Sequence, residues 1–197
     1  SRSSLDIDMD APEISFAYTG DQYHSRDTAF VTSNSEIALS ALDPESGVKD
    51  VGYKINGGTG QKYTGPIKMD EEGTYQIDFY GTDQVNNRNT KSFFFVVDNT
   101  GPRVEHILSM DPVGKIILDE KDGNPIGVYT KGVRLFLAAT DKTVDTDLIF
   151  YSINGGAEVE YTKPVRISTR GLVTYKVRAT DKLGNETKTD EIEIFVK

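Results

Sequence analysis

The residues best equipped for chemistry in this sequence are oxygen ligands placed in turns. Asp141, Asp145, Asp147, Asp181 and Asn185 fall between strand-like runs of the C-terminal half, and Asp98 and Asn99 stand just before it. Six to eight oxygens from carboxylates, amides and backbone carbonyls are what Ca²⁺ takes, whereas Mg²⁺ keeps several of its waters. An equivalent set occurs in the N-terminal half as Asp8, Asp10, Asp43, Glu45, Asp83 and Asn87. Asp and Asn also begin turns without any ion, because their side chains accept bonds from backbone N–H groups two residues on. Residue type alone leaves both readings open.

Other chemistry is poorly supplied. There are two histidines, His24 and His106, and no cysteine, so a Ser-His-Asp or Cys-His site has few places to be built. Acidic neighbours such as Asp70-Glu71-Glu72 and Asp119-Glu120-x-Asp122 read as solvated turns, since glycosidase pairing needs two carboxylates across a cleft. No catalysis is expected. Sugar platforms are also scarce: Trp is absent, and Tyr53, Tyr63, Tyr151 and Tyr161 read as framework. Tyr18, Tyr23 and His24 are the residues that could form a small ligand patch. The run Phe93-Phe94-Phe95-Val96-Val97 reads as a strand buried on one face and covered on the other.

What must position these residues is a repeated unit. Tyr53-x-Ile55-Asn56-Gly57-Gly58 returns as Tyr151-x-Ile153-Asn154-Gly155-Gly156, 98 residues on, and Tyr63-Thr64-x-Pro66 returns as Tyr161-Thr162-x-Pro164 at the same offset. Thr32–Val97 aligns with Thr130–Phe195 without a gap. Apolar residues alternate with polar ones over short runs closed by turn residues, as in Glu36–Ala41 and Val133–Ala138, which is the period of a half-buried strand. Asn-Gly-Gly is the residue choice for a tight hairpin. No segment carries the 3.6-residue period and caps of a helix. The expectation is an all-β chain of two tandem Ig-like Greek-key β-sandwiches in an elongated arrangement. The first spans 1–99 and the second 100–197, the latter with an enlarged A–B hairpin at 105–128. In such a sandwich the start of strand A, the B–C loop and the F–G loop share one pole, which would bring Asp98 and Asn99 to the acidic tip of the second copy.

Composition sets outer limits. A net charge of −9 and a pI near 4.8 speak against nucleic acid, whose binding relies on Lys and Arg. No run approaches the roughly 18 apolar residues of a membrane-spanning helix. The start shows neither an initiator Met nor a signal-peptide pattern, as expected of a fragment cut from a longer protein.

The combination of Tyr-x-Ile-Asn-Gly-Gly, Tyr-Thr-x-Pro, Ala179-Thr180-Asp181-Lys182-Leu183-Gly184-Asn185 and the junction Asp98-x-Thr100-x-Pro102 resembles tandem bacterial Ig-like repeats of cell-surface proteins, including those named after a leptospiral outer-membrane protein. The first copy departs from that pattern with Gly81 for Ala and Asn86 for Gly. The resemblance implies an exported protein, extracellular or at the bacterial surface, whose signal peptide lies outside this fragment. There such modules serve as rigid spacers or protein-binding stalks beside further Ig-like or catalytic domains. Its partners would be those domains and a host or matrix protein or glycan. The alternative is a carbohydrate-binding accessory module of a surface glycosidase. No cofactor is required, and Ca²⁺ is the one ion the acidic pole would admit.

Overall fold

The computed structural model describes residues 7–118 and 123–197, and the chain divides into two compact units, Ser1–Asn99 and Thr100–Lys197. Unit 1 runs through β1 (Glu13–Thr19), β2 (Gln22–Ser25), β3 (Thr28–Val31), β4 (Glu36–Leu42), β5 (Val48–Ile55), β6 (Gln61–Lys62), β7 (Gly73–Asp83) and β8 (Arg88–Val97). Unit 2 runs through β9 (Arg103–Leu108), β10 (Gly114–Ile116), β11 (Ile126–Tyr129), β12 (Arg134–Thr140), β13 (Thr146–Ile153), β14 (Val159–Glu160), β15 (Val165–Arg166), β16 (Gly171–Asp181), β17 (Glu186–Lys188) and β18 (Ile192–Val196). Every regular element among the described residues is a strand, as the two-residue alternation predicts.

Each unit pairs a small sheet with a large one. In unit 1, β1 and β4 form the small sheet and the large one has the order β2-β3-β8-β7-β5-β6. In unit 2 the small sheet is β15-β12-β9 and the large one β10-β11-β18-β16-β13-β14, with β17 on β16. Neighbours are antiparallel except β3 on β8 and β11 on β18. Those parallel pairs arise because the chain leaves the small sheet after its first strand and joins the edge of the large one before returning. This is the topology of an Ig-like sandwich.

The core follows from the pleat. Ile77 and Phe79 of β7 face Phe93, Phe95 and Val97 of β8, all buried, together with Ile37 and Leu39 of β4. Phe94 is 60% exposed, because successive side chains on a strand point to opposite faces. The expectation that the Phe93–Val97 run is covered on both faces is therefore corrected. Nor is β8 an edge, since β7 and β3 pair with its two sides. Unit 2 closes its own core on Leu135, Leu137, Val173, Tyr175, Val177, Ile194 and Val196.

Two sequence expectations shift by small amounts. Gly73 pairs with Val97 in unit 1, but Gly171 pairs with Val196, not Phe195, in unit 2. The repeat is gap-free only as far as Thr189, whose hydroxyl and amide bond the Val177 backbone at 2.9 and 2.8 Å. One extra residue between there and Ile192 restores the inward face, since a one-residue slip would turn every side chain over. The added segment of unit 2 also starts later than 105. Residues Arg103–Leu108 are occupied in pairing β12, and the hairpin proper is β10–β11, the counterpart of β2–β3. The acidic run Asp119-Glu120-x-Asp122 lies outside the described residues.

The Asn-Gly turns are as their residues require. Asn56 and Gly57 have φ of +49° and +70°, Asn154 and Gly155 +51° and +67°, the successive left-handed conformations of a type I′ turn. Each Asn also receives the backbone N–H of the next long strand, from Gln76 at 2.8 Å and Thr174 at 2.9 Å.

Gly81 marks where the copies differ in packing. A Cβ there would meet Ile14 Cγ2 at 2.8 Å and Ala41 Cβ at 3.1 Å, whereas unit 2 carries buried Ala179 at this place opposite the smaller Val104. Gly81→Ala should cost about 1–3 kcal/mol by overpacking, and adding Ile14→Val should recover most of it. Denaturant unfolding of the two variants checks this.

Candidate metal centre

The pole of unit 1 is built around a buried aspartate. Asp83 ends β7 and is 0% exposed. Its Oδ1 accepts the Val85 and Asn87 amides at 2.9 and 2.8 Å, and its Oδ2 the Asn87 side-chain amide at 2.8 Å. The same Asn87 Nδ2 reaches the carbonyls of Asp8 and Asp10 at 3.2 and 3.1 Å. The segment entering β1 is thereby tied to the loop between β7 and β8. A second loop arrives from β4: Asp43 Oδ1 gathers the amides of Glu45, Ser46 and Gly47 at 2.9, 3.0 and 3.2 Å.

These two loops and the entering segment bring one carboxylate oxygen each from Asp8, Asp43 and Asp83 to within 4.8 Å of one another. Oxygens that touch one Ca²⁺ at 2.3–2.6 Å can be no further apart than about 5 Å. Three carboxylates at that spacing match such an ion. Asp8 bonds the Asp10 amide through Oδ1 at 3.0 Å, while its Oδ2 is enclosed and has no hydrogen-bond partner, as is Ser46 Oγ. Ile7, Asp8, Glu45, Ser46 and Val85 line an open cavity of about 740 Å³ beside them.

Charge is crowded here. The Ser46 hydroxyl beside Asp8 is the largest influence on its carboxyl and, with the Asp10 amide and against desolvation, holds it below the usual carboxylate range. Glu45 is pushed the other way, chiefly by the charge of Asp8, then by desolvation and Asp10. A cation among the three aspartates would relieve that repulsion.

Unit 2 repeats the framework. Asp181, 2% exposed, accepts the Leu183 and Asn185 amides at 2.8 and 2.9 Å and the Asn185 side chain at 2.8 Å. Asp141 accepts the amides of Thr143 and Val144 at 2.8 and 3.0 Å, and one of its oxygens lies within 4.8 Å of one of Asp181. Asp145 contributes its carbonyl to the Lys182 amide, and Asp147 pairs with the Lys182 ammonium. Asp98 and Asn99 follow β8 in unit 1. The Asp98 amide bonds Val31 O at 3.0 Å, and Asn99 bonds Ser33 and Glu72 at 2.7 and 2.9 Å.

The tyrosine patch divides. Tyr18 packs edge-on against Phe16, Phe93 and Phe95, with His24 at 6.1 Å, and burial pushes its hydroxyl up to about 12. Tyr23 packs on Phe30. Adjacent residues of β2 face opposite sides, so Tyr23 and His24 do not share a surface. His106 Nδ1 meets the Tyr175 hydroxyl at 2.9 Å. Sequence reasoning missed Ser46, whose only signal is its place in the turn opened by Asp43.

No family model matches this sequence, and no curated protein matches it. Solved structures that align with this chain include the fibronectin(III)-like modules of Clostridium thermocellum CbhA, at 13% identity and TM-score 0.41, covering 92% of this chain and 94% of that one. Dimeric latent PorU from Porphyromonas gingivalis aligns at 15% identity and TM-score 0.39 over 98% of this chain and 21% of its own. SGBP-B of the Bacteroides ovatus mixed-linkage glucan utilization locus, solved with a mixed-linkage heptasaccharide, aligns at 14% and 0.32 over 97% and 71%.

Proposed function

We infer that the chain is a non-catalytic pair of Ig-like modules, a spacer or protein-binding stalk segment of a larger bacterial surface or secreted protein, whose first unit binds Ca²⁺ between Asp8, Asp43 and Asp83. One observation carries the ion: one carboxylate oxygen each of Asp8, Asp43 and Asp83 lies within 4.8 Å of the others, and Asp8 also has an enclosed oxygen that makes no hydrogen bond of good geometry. A buried polar atom without a partner costs free energy, and a cation supplies the partner.

The stalk role is supported by what the two halves share. Asp43 and Asp141, Asp83 and Asp181, and Asn87 and Asn185 cap loops. Tyr53 with Tyr63, and Tyr151 with Tyr161, meet edge-on at 6.4 and 6.5 Å, paired with each other instead of arrayed in a row for a ligand. The shared residues build the module. The ion would add stiffness, joining the entering segment at Asp8 to both loops through bonds that depend on the Ca²⁺ concentration outside the cell.

Calorimetric titration should show Ca²⁺ binding that Asp8→Asn and Asp43→Asn each weaken in unit 1. Saturation at a hundred times Kd adds about 2.7 kcal/mol, a rise in Tm on the order of ten degrees for a domain this size. Absence of both heat and a Tm change would contradict the ion. A second expectation concerns pH. Glu45 binds its proton more tightly folded than unfolded, so its ionised form costs stability above the raised pKa and that cost disappears as pH falls through it. Glu45→Gln should therefore raise Tm at pH 7 in EDTA, with the gain fading toward pH 4 and shrinking in saturating Ca²⁺. Melting curves across pH, with and without the ion, check it.

A further inference from the structure

The outer face of β5, β6 and β7 in unit 1 carries a groove whose lining differs in charge and size from the equivalent positions of unit 2. Lys49, Asp50, Gly60, Gln61, Lys62, Tyr80, Thr82, Asn86 and Arg88 line a volume of about 610 Å³. The groove exists because two positions have no side chain. A Cβ on Gly52 would meet the Tyr80 ring at 2.5 Å, so the ring lies flat over the strand, and Gly60 leaves the space beside it open. The Arg88 guanidinium covers the other face of the ring at 4.0 Å from its centre, with Nε bonded to Thr82 Oγ1 at 3.1 Å. Lys49 Nζ is held by Asn86 Oδ1 at 2.7 Å.

In unit 2 the same positions are inverted in charge and filled. Phe150 stands for Gly52 and Arg178 for Tyr80, with the guanidinium over the Phe150 ring at 4.2 Å. Glu158 stands for Gly60, Glu160 for Lys62, Asp147 for Lys49 and Glu186 for Arg88. Arg178 then pairs with both Glu158 and Glu186 at 2.8 and 3.1 Å, Lys188 pairs with Glu186, and Lys182 with Asp147. That face is closed by its own salt bridges. Unit 1 shares the sandwich but has none of these three glutamates, and places Lys49, Lys62 and Arg88 together on a chain whose net charge is −9.

We propose that this groove of unit 1 binds an acidic saccharide, a sugar ring bearing a carboxylate or sulfate group. Lys49, Lys62 and Arg88 supply the cations for the anionic group, with Arg88 held rigid by Tyr80 and Thr82. Asp50, Gln61 and Asn86 offer acceptors and donors for ring hydroxyls, and Asp50 in particular would repel a ligand that presents charge alone. DNA fits less well, because its deoxyriboses present no free hydroxyl between successive phosphates for Asp50 to accept from. The groove's cations are distinct from the carboxylates at the pole, although Asn86 belongs to the loop that Asp83 caps.

The test measures binding to polygalacturonate, dextran sulfate, neutral dextran and a single-stranded oligonucleotide in EDTA at low salt. EDTA removes any bridging by Ca²⁺, so failure here leaves the pole untouched. Binding to one or both acidic polysaccharides, weakened by salt and absent for neutral dextran, is expected. Polygalacturonate and dextran sulfate tell carboxylate from sulfate. Lys49→Asp, Lys62→Glu and Arg88→Glu combined install residues that unit 2 carries at these places and should weaken binding roughly tenfold or more. Lys62→Glu alone, at an exposed position, should weaken it measurably with an unchanged melting curve. No binding to either acidic polymer, equal binding to neutral dextran or the oligonucleotide, or binding unaffected by Lys62→Glu in a folded protein would overturn the proposal.

Discussion

A carboxylate buried at the end of the longest strand organises each unit. Asp83 and Asp181 are almost wholly removed from solvent, where a lone charge would be prohibitive, and each is made tolerable by two backbone amides and an asparagine side chain. Hydrogen bonds to a charged group contribute about 1.5–3 kcal/mol apiece, enough to fix the loop that follows. In unit 1 the chain of bonds continues from Asp83 through Asn87 to the carbonyls of Asp8 and Asp10, so the charge that shapes the loop also sets where the polypeptide enters its first strand. Loop closure and the proposed cation site thus share one carboxylate.

The sandwich itself places few demands on chemistry. Its cores are formed by alternation, aromatic-rich in unit 1 and aliphatic-rich in unit 2, and either filling suffices. Phe16 stacked on Phe93 at 3.7 Å has its counterpart at His106 and Ile192. Such freedom away from the poles lets one copy carry a cationic groove where the other carries a closed salt-bridge network. Duplication preserves the frame while the outer face drifts in charge and size.

Much of this was legible from residue order. The two-residue alternation gives the strands, the Asn-Gly pairs give the hairpins, and the duplication of Asp43, Asp83 and Asn87 marks the loop caps. What escaped had physical reasons. A tandem alignment counts residues but does not see a bulge, so the extra residue before Ile192 was invisible until strand pairing was known. Tyr23 and His24 are adjacent in sequence, and only their place on a strand separates them onto opposite faces. Phe94 follows the same rule in the open. The charge inversion between Lys62 and Glu160, or Arg88 and Glu186, stands in the sequence, but it acquires meaning only when β5, β6 and β7 set those positions around one groove. Ser46 could not be distinguished from any other turn serine before its hydroxyl was seen beside Asp8.

The account turns on whether the carboxylates of unit 1 hold a cation or merely cap loops. A high-resolution crystal structure grown in millimolar CaCl₂ decides this most directly. It should show one ion bound by oxygens of Asp8, Asp43 and Asp83 at 2.3–2.6 Å, with an anomalous signal appropriate to calcium. A water molecule in that position, or Asp8 turned away into solvent under the same conditions, would contradict it.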